Sequence, residues 1–347
     1  MTLPAPLPKA RIRVLIVDDS ATVRSTLTRV LEKAPDIHVV GTAADGRIAR
    51  DRIVQLKPDV VTLDMEMPDV DGMTLLRAVM KHAPVPIVVI SSVTPRGSSR
   101  AFAAIEAGAV DVLCKPTGAM SLGDLEREVV QRVRAAALSV RREPTAAAPP
   151  PSGMQFASRQ IVGLVASTGG TEALRHVLDG LPANCPPVVI VQHIPPVFSA
   201  RLAERLNKSS QLDIREAEDG EILEAGMARI ARGDMHLLVD STPSGYRTKL
   251  RAGPRVQEQR PSGDVLLMSL ASSAGSRTVA AILTGMGEDG VDGLMQLREA
   301  GATTFAQDQA SSVVYGMPRE AFERGAAMRE VSLSNMARAI LGALKGR

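Results

Sequence analysis

RVLIVDDSATVRSTLTRVLEK, residues 13–33, is the stretch on which the reading of the fold turns. A short apolar run, 14–17, ends in the pair Asp18 and Asp19, and apolar residues then recur at helical spacing at Val23, Leu27, Val30 and Leu31. An apolar strand followed at once by an amphipathic helix is one βα unit. A run apolar on both faces belongs to a parallel sheet covered on both sides.

Outward from there the pattern repeats. Candidate strands at 14–18, 38–43, 60–64, 86–91 and 111–115 alternate with helical segments near 21–33, 46–56, 73–81, 98–107 and 121–137. Five such units within roughly 125 residues predict a doubly wound α/β domain. The composition then changes at Glu143–Gln155, EPTAAAPPPSGMQ, which has no hydrophobic period and reads as a semi-stiff linker. A second series follows, with strands expected at 160–167, 187–193, 236–240, 278–285 and 302–308. Its helices are expected near 170–179, 198–207, 291–300, 318–324 and 333–344, and the polar stretch 241–264 has room for a hairpin. The expected layout is one domain over 11–138, a linker over 139–157, and a second parallel-sheet α/β domain over 158–347.

A chain of 347 residues is long for a single core, in keeping with two domains. At 45% hydrophobic and 23% charged, it has the composition of a globular protein rather than a disordered one. With no Trp, two Tyr and five Phe it lacks a base-stacking platform for single-stranded nucleic acid. The net charge of +3 is scattered, which reads as solvated surface rather than a nucleic-acid patch. Cys114 and Cys185 fall in different domains, which argues for a reducing compartment and against a disulfide or zinc framework. Prolines near the start stand where a signal peptide needs an apolar run, and no apolar stretch is long enough to span a bilayer, so a cytoplasmic location without membrane insertion is expected.

In a parallel sheet, all strand C-termini share one edge and ligands bind in the crevice there. Asp18, Asp19 and Asp64 meet at that edge in the first domain, where they repel one another unless a hard divalent cation such as Mg²⁺ sits among them. Ser91 and Lys115 reach the same edge, and a hydroxyl and an ammonium beside a metal-bound carboxylate can hold the oxygens of a transferring phosphoryl group. Any one of these aspartates alone would more simply cap a helix; four strand ends carrying this set together argue for a phosphoryl site. The motifs VDDS (17–20), LDMEMPDVDG (63–72), VISS (89–92) and CKP (114–116) closely resemble the response-regulator receiver family, a flavodoxin-like (βα)5 fold. The resemblance implies that Asp64 accepts phosphate, that Asp18, Asp19, Asp64 and the Glu66 carbonyl hold the metal, and that Ser91 and Lys115 sense the phosphate. Where receivers commonly carry an aromatic switch, this chain has Val112.

Three motifs of the second domain sit at strand-to-loop junctions: GLVASTGGTEAL (163–174), VVIVQHIPP (188–196) and AILTGMGEDG (281–290). They place Ser167, His193 and Asp289 at one edge. Serine needs a base to accept its proton, and the base needs a carboxylate to fix its tautomer, so these three form a candidate catalytic triad. The amides of Thr168 and Met286 are candidate oxyanion donors. The order Ser–His–Asp and the lack of a G-x-S-x-G frame set the domain apart from α/β-hydrolases.

GMGEDG (285–290) also fits the dinucleotide fingerprint, with Asp308 as its acidic partner, so a response regulator with a non-catalytic nucleotide-binding output is the alternative, although too little chain follows Asp308 for such a fold. A DNA-binding output is disfavoured by the absence of a basic recognition-helix pattern. His38, His82 and His176 read as surface or packing residues, and a structural role is expected for His236.

ASTGG, VQHIPP, RPSGDVL (260–266), LTGMGEDG and FAQDQASSVVYGMP (305–318), behind a receiver, resemble the chemotaxis protein-glutamate methylesterases, the CheB family. The resemblance implies hydrolysis of glutamyl γ-methyl esters on chemoreceptors with release of methanol, deamidation of certain receptor glutamines, and no cofactor for hydrolysis. It also implies a chemotaxis-type histidine kinase as phosphoryl donor and an unphosphorylated receiver that covers the catalytic face. Arg232, in ARGD (231–234), stands where that family more often has proline.

Overall fold

The apolar run at 14–17 lies within β1 (Ile12–Val17), and α1 (Ala21–Glu32) follows it. The first sheet continues with β2 (Ile37–Ala43), β3 (Val60–Asp64), β4 (Ile87–Ser91) and β5 (Asp111–Cys114). Between and after them come α2 (Gly46–Leu56), α3 (Gly72–His82), α4 (Pro95–Glu106) and α5 (Leu122–Leu138). The strand order is β2-β1-β3-β4-β5, all parallel. Every residue of β3 and β4 is buried, as expected for strands covered on both faces. Helix starts are set by short polar side chains: Ser20 caps α1, Asp45 caps α2 and Asp71 caps α3. The chain reverses its winding direction between β1 and β3, which opens the crevice beside Asp18 and Asp64.

This computed structural model describes residues 11–67, 71–91, 95–115, 122–140 and 153–345. The chain divides into units Met1–Ser139 and Val140–Arg347. Most of the expected linker, together with Ser92 and Pro116 of the sequence motifs, lies outside the described residues.

In the second unit, β6 (Ile161–Ala166), α6 (Gly170–Asp179), β7 (Val188–Gln192) and α7 (Pro196–Ser209) come first. There follow β8 (Asp213–Glu216), β9 (Ile222–Leu223), β10 (Met227–Ile230), β11 (His236–Ser241) and β12 (Tyr246–Arg251). The remainder is α8 (Gly263–Ser273), β13 (Thr278–Ile282), α9 (Val291–Glu299), β14 (Thr303–Gln307), α10 (Met317–Glu323), β15 (Arg329–Val331) and α11 (Leu333–Lys345). Seven strands form a parallel sheet in the order β15-β14-β13-β6-β7-β10-β8, and β11, β12 and β9 form a separate antiparallel sheet. Helices α8 and α9 pack together, while α6 packs against α7 and α11.

The expected and observed elements differ in several places, and β8, β9, β10 and β15 were not expected at all. The strand at 236–240 belongs to the antiparallel sheet, where it makes a hairpin with β12, and β10 takes the place beside β7. Helix α8 was not expected, because VLLMSLA (265–271) is apolar almost all round and shows no polar face to set a helical period. The central strands agree: β6 pairs with β7 on one side and β13 on the other. The winding direction switches between β6 and β13, at the end of the strand that carries Ser167.

Candidate active site

In the first unit, Asp18 and Asp64 are fully buried at the ends of β1 and β3, and Asp19 beside them is exposed. Carboxylate oxygens of all three lie within 4.8 Å of one another. None of them caps a helix; that work falls to Ser20 and Asp71. Lys115 Nζ stands 2.6 Å from Asp64 Oδ2 and 3.6 Å from Asp18 Oδ2, so one ammonium partly offsets the buried negative charge. The other oxygen of Asp64 accepts from the Glu66 amide at 3.0 Å, and Asp18 Oδ1 accepts from the Ser20 amide at 2.9 Å. Asp18 Oδ2 is buried without a hydrogen-bond partner, an atom an oxygen-seeking cation would satisfy. Burial pushes the Asp18 carboxyl up against the pull of the Ser20 amide. Burial opposes the charge on Lys115, but the bond to Asp64 and the charges of Asp64 and Asp18 outweigh it and raise its pKa. Ser91 is buried at the end of β4, and its carbonyl accepts from the Lys115 amide at 2.8 Å. The donor set fits a hard divalent cation.

In the second unit, Ala166 pairs with Gln192, so Ser167 and His193 step off adjacent strands at the same level. The His193 amide donates to Ala166 O at 3.0 Å and the Ser167 amide to Thr284 O at 3.0 Å, which ties the ends of β6, β7 and β13 together. Gly169 turns the chain at φ 77° into α6. Ser167 is half-buried, and His193 and Asp289 are 5% and 3% exposed. His193 Nε2 stands 2.7 Å from Asp289 Oδ2. A carboxylate there assigns the ring proton to Nε2 and leaves Nδ1 as the basic nitrogen. Nδ1 has no hydrogen-bond partner, so the bond from Ser167 Oγ to the imidazole is not formed in this state. Such a bond is often loose until substrate is bound. Thr168 O accepts from Thr284 Oγ1 at 3.0 Å, and Thr284 N is fixed by Gln307 Oε1 at 2.8 Å. The strand ends therefore bring His193 and Asp289 into contact and Ser167 beside them, with Thr168 and Met286 on the flanking loops.

Sequence reasoning missed the groups behind Asp289. Its Oδ1 accepts from Ser262 Oγ at 2.6 Å and its Oδ2 from the Gly263 amide at 2.6 Å, at the start of α8. Ser-Gly ahead of an apolar run was the available signal, since Ser caps helices. It was obscured because that run had no helical period. Gln192, a buried side chain bonded to Ser167 O at 2.9 Å, gave no signal at all.

The dinucleotide reading is not supported. Asp289, inside GMGEDG, is turned inward onto Ser262 and His193, and Asp308 caps its own turn through Ser311 N at 2.9 Å. Both cysteines are buried and unpaired, with thiols pushed up to about 12 by burial, hence unreactive. His38 and His82 are exposed and His176 is buried in α6. Val112 is buried in β5. Arg232, just past β10, is exposed beside a cavity of about 800 Å³ whose lining includes Glu204, Glu216 and Asp219. No helix among the described residues is long and apolar enough to cross a membrane.

Residues 162–340 match the family model for the CheB methylesterase, and residues 14–125 match that for the response regulator receiver domain. A protein of Anaeromyxobacter dehalogenans named protein-glutamate methylesterase/protein-glutamine glutaminase 4 is 45% identical over 344 residues, which is 97% of each chain. A protein-glutamate methylesterase/protein-glutamine glutaminase of Escherichia coli is 42% identical, covering 96% of this chain and 97% of its own. The crystal structure of the Thermotoga maritima CheB methylesterase catalytic domain superposes with a TM-score of 0.52 at 37% identity, covering 54% of this chain and 99% of that one.

Proposed function

Because the chain belongs to the CheB methylesterase family and carries a response-regulator receiver, we propose that it is a phosphorylation-activated serine hydrolase acting on glutamate γ-methyl esters of chemoreceptors. The observation that carries this reading is the buried His193–Asp289 bond beside Ser167 at the switch point of a parallel sheet. Ser167 Oγ attacks the ester carbonyl carbon as His193 Nδ1 takes its proton. The amides of Thr168 and Met286 hold the oxyanion, each worth ~3 kcal/mol of barrier. Collapse of the tetrahedral species expels methanol, which leaves with the proton held by His193. Water, deprotonated by the same imidazole, then releases the glutamate. Certain receptor glutamines are deamidated by the same steps, with ammonia as the leaving group. Nucleophile, base and carboxylate all come from the chain, so hydrolysis calls for no cofactor.

Residues 11–138 act as the receiver, 139–157 as linker and 158–347 as the catalytic domain. Asp64 is the phosphoryl acceptor, from a chemotaxis-type histidine kinase, and Lys115 and Ser91 hold the phosphoryl oxygens. Asp18, Asp19, Asp64 and the Glu66 carbonyl would hold Mg²⁺, which would neutralise charge on the transferring group. The protein works in the cytoplasm, without membrane insertion or nucleic acid, against the receptors' cytoplasmic helices. Methanol release from a methylated receptor fragment tests the reading. Full-length protein should release methanol, and Ser167→Ala should abolish release while keeping its fold; normal esterase activity in that variant would refute the assignment.

A further inference from the structure

We propose that Ser262 is a positioning residue of the hydrolytic site, holding Asp289 against His193, and that His236 holds Ser262 from behind. The inference rests on the reading of Ser167, His193 and Asp289 as the triad. Ser262 is the N-cap of α8, and its Oγ accepts from the Val265 amide at 3.4 Å. A hydroxyl has one proton and two lone pairs, so capping leaves its proton free, and that proton goes to Asp289 Oδ1 at 2.6 Å. The Asp264 amide adds a longer bond to the same oxygen at 3.3 Å. Asp289 Oδ2 is shared between the Gly263 amide and His193 Nε2, at 2.6 and 2.7 Å. Both carboxylate oxygens are thus pinned by the first turn of an eleven-residue helix, whose N-terminal amides favour a negative charge. The carboxylate can neither rotate nor back away from the imidazole.

Burial strengthens each link. Ser262 is 0% exposed, and His236 is 4% exposed. Hydrogen bonds to a charged group in so dry a place are strong and costly to leave unmade. Behind Ser262, its amide donates to His236 Nδ1 at 3.3 Å, while His236 Nε2 faces Pro254 O at 2.9 Å. The carbonyl assigns the proton to Nε2 and makes Nδ1 the acceptor. His236 lies on β11, so the antiparallel sheet contributes to the site through a chain of contacts from His236 to Ser262, Asp289 and His193.

A residue that merely caps α8 and one that positions Asp289 differ in what they do to titration. The positive end of the Ser262 hydroxyl faces the Asp289 carboxylate, so removing it changes the charge next to the Asp289–His193 bond, which loss of a cap alone would not do. Asp264 on α8 interacts with Asp289 and with Asp292 on α9, which is paired with Arg324, and His236 on β11 accepts from the Ser262 amide; all of these side chains are kept in a Ser262 variant. In full-length protein turning over a methylated receptor fragment, Ser262→Ala should lower kcat by ten- to a hundred-fold with little change in KM. It should also move the acid limb of the kcat profile to higher pH, and Ser262→Thr, which keeps the hydroxyl, should restore both. His236→Phe, which keeps a ring but leaves the Ser262 amide without its acceptor, should show the same signature at smaller amplitude and decides the matter should Ser262→Ala not fold. Wild-type kcat and an unmoved acid limb in a folded Ser262→Ala or, failing that, a folded His236→Phe would overturn the inference while leaving the triad standing. Methanol release by Ser167→Ala would instead overturn the triad itself.

Discussion

At Gly285 the backbone passes so close to the nucleophile that no side chain fits. A Cβ there would stand 2.6 Å from Ser167 Cβ and 2.5 Å from Met317 Sδ. Gly285→Ala must therefore push Ser167 or its own loop aside, and a shift of about 1 Å at a reacting group costs on the order of a hundred-fold in rate. We expect Gly285→Ala to fall by 10- to 100-fold in kcat for methanol release; full activity would show that this close approach does not position Ser167. In the receiver, the proposed phosphoryl acceptor, Asp64, is gripped by Lys115 at 2.6 Å. Asp64→Asn removes the acceptor carboxylate, so adding a small-molecule phosphoryl donor and Mg²⁺ should no longer raise methanol release; a rise equal to wild type would move the phosphorylation site elsewhere. The places of Ser167, His193 and Asp64 at strand ends were legible in the sequence because strand ends in a parallel sheet announce themselves by an apolar run breaking into a polar residue. Ser262 and His236 were not, because their importance lies in contacts between segments far apart in the chain.

At the scale of elements, α8 carries an unusual burden. Its first turn holds Asp289 and also Asp264, which is 2% exposed and accepts from the Gly293 amide of α9 at 2.8 Å. Burial first, and then the charges of Asp289 and Asp292, push the Asp264 carboxyl up to about 6 despite that amide. Folding thus favours the protonated form. The stabilisation is fully present below the ordinary carboxylate range and is lost as pH rises through about 6. Asp264→Asn, which keeps an acceptor for Gly293, should be more stable than wild type above pH 6, by about 3 kcal/mol on the linkage of 1.36 kcal/mol per pKa unit. The gap should close below about pH 4, where the ordinary carboxyl of the unfolded chain is also protonated. Denaturant titrations of both proteins across that range would show it, and a gap that widens toward acid would contradict the environment described for Asp264. The same helix shows where element reading stops. Amphipathic helices such as α1 and α3 were expected close to their observed bounds, whereas α8, α-helical but apolar on most sides, carried no period to detect. Short polar strands such as β8, DIRE, and the two-residue β9 were missed for the complementary reason: too few residues to show an alternation.

For the whole molecule, a phosphorylatable unit and a hydrolytic unit on one chain imply that the first regulates the second. The proposed phosphoryl acceptor lies in one unit and the proposed triad in the other, and a difference of a few kcal/mol between two states suffices to switch an enzyme. Val112, buried where receivers commonly place an aromatic switch, requires the signal to leave by another packing change. Deleting residues 1–142 should raise basal methanol release in a fragment that retains its fold; equal or lower activity would argue against occlusion. The central claim is that phosphorylation in one unit turns on Ser167 chemistry in the other. It is tested most directly by methanol release from a methylated receptor fragment, measured on the intact chain with and without a small-molecule phosphoryl donor and Mg²⁺. We predict slow release without the donor and a several-fold increase with it, absent in Ser167→Ala. No methanol in either condition, or a rate indifferent to the donor, would contradict the account.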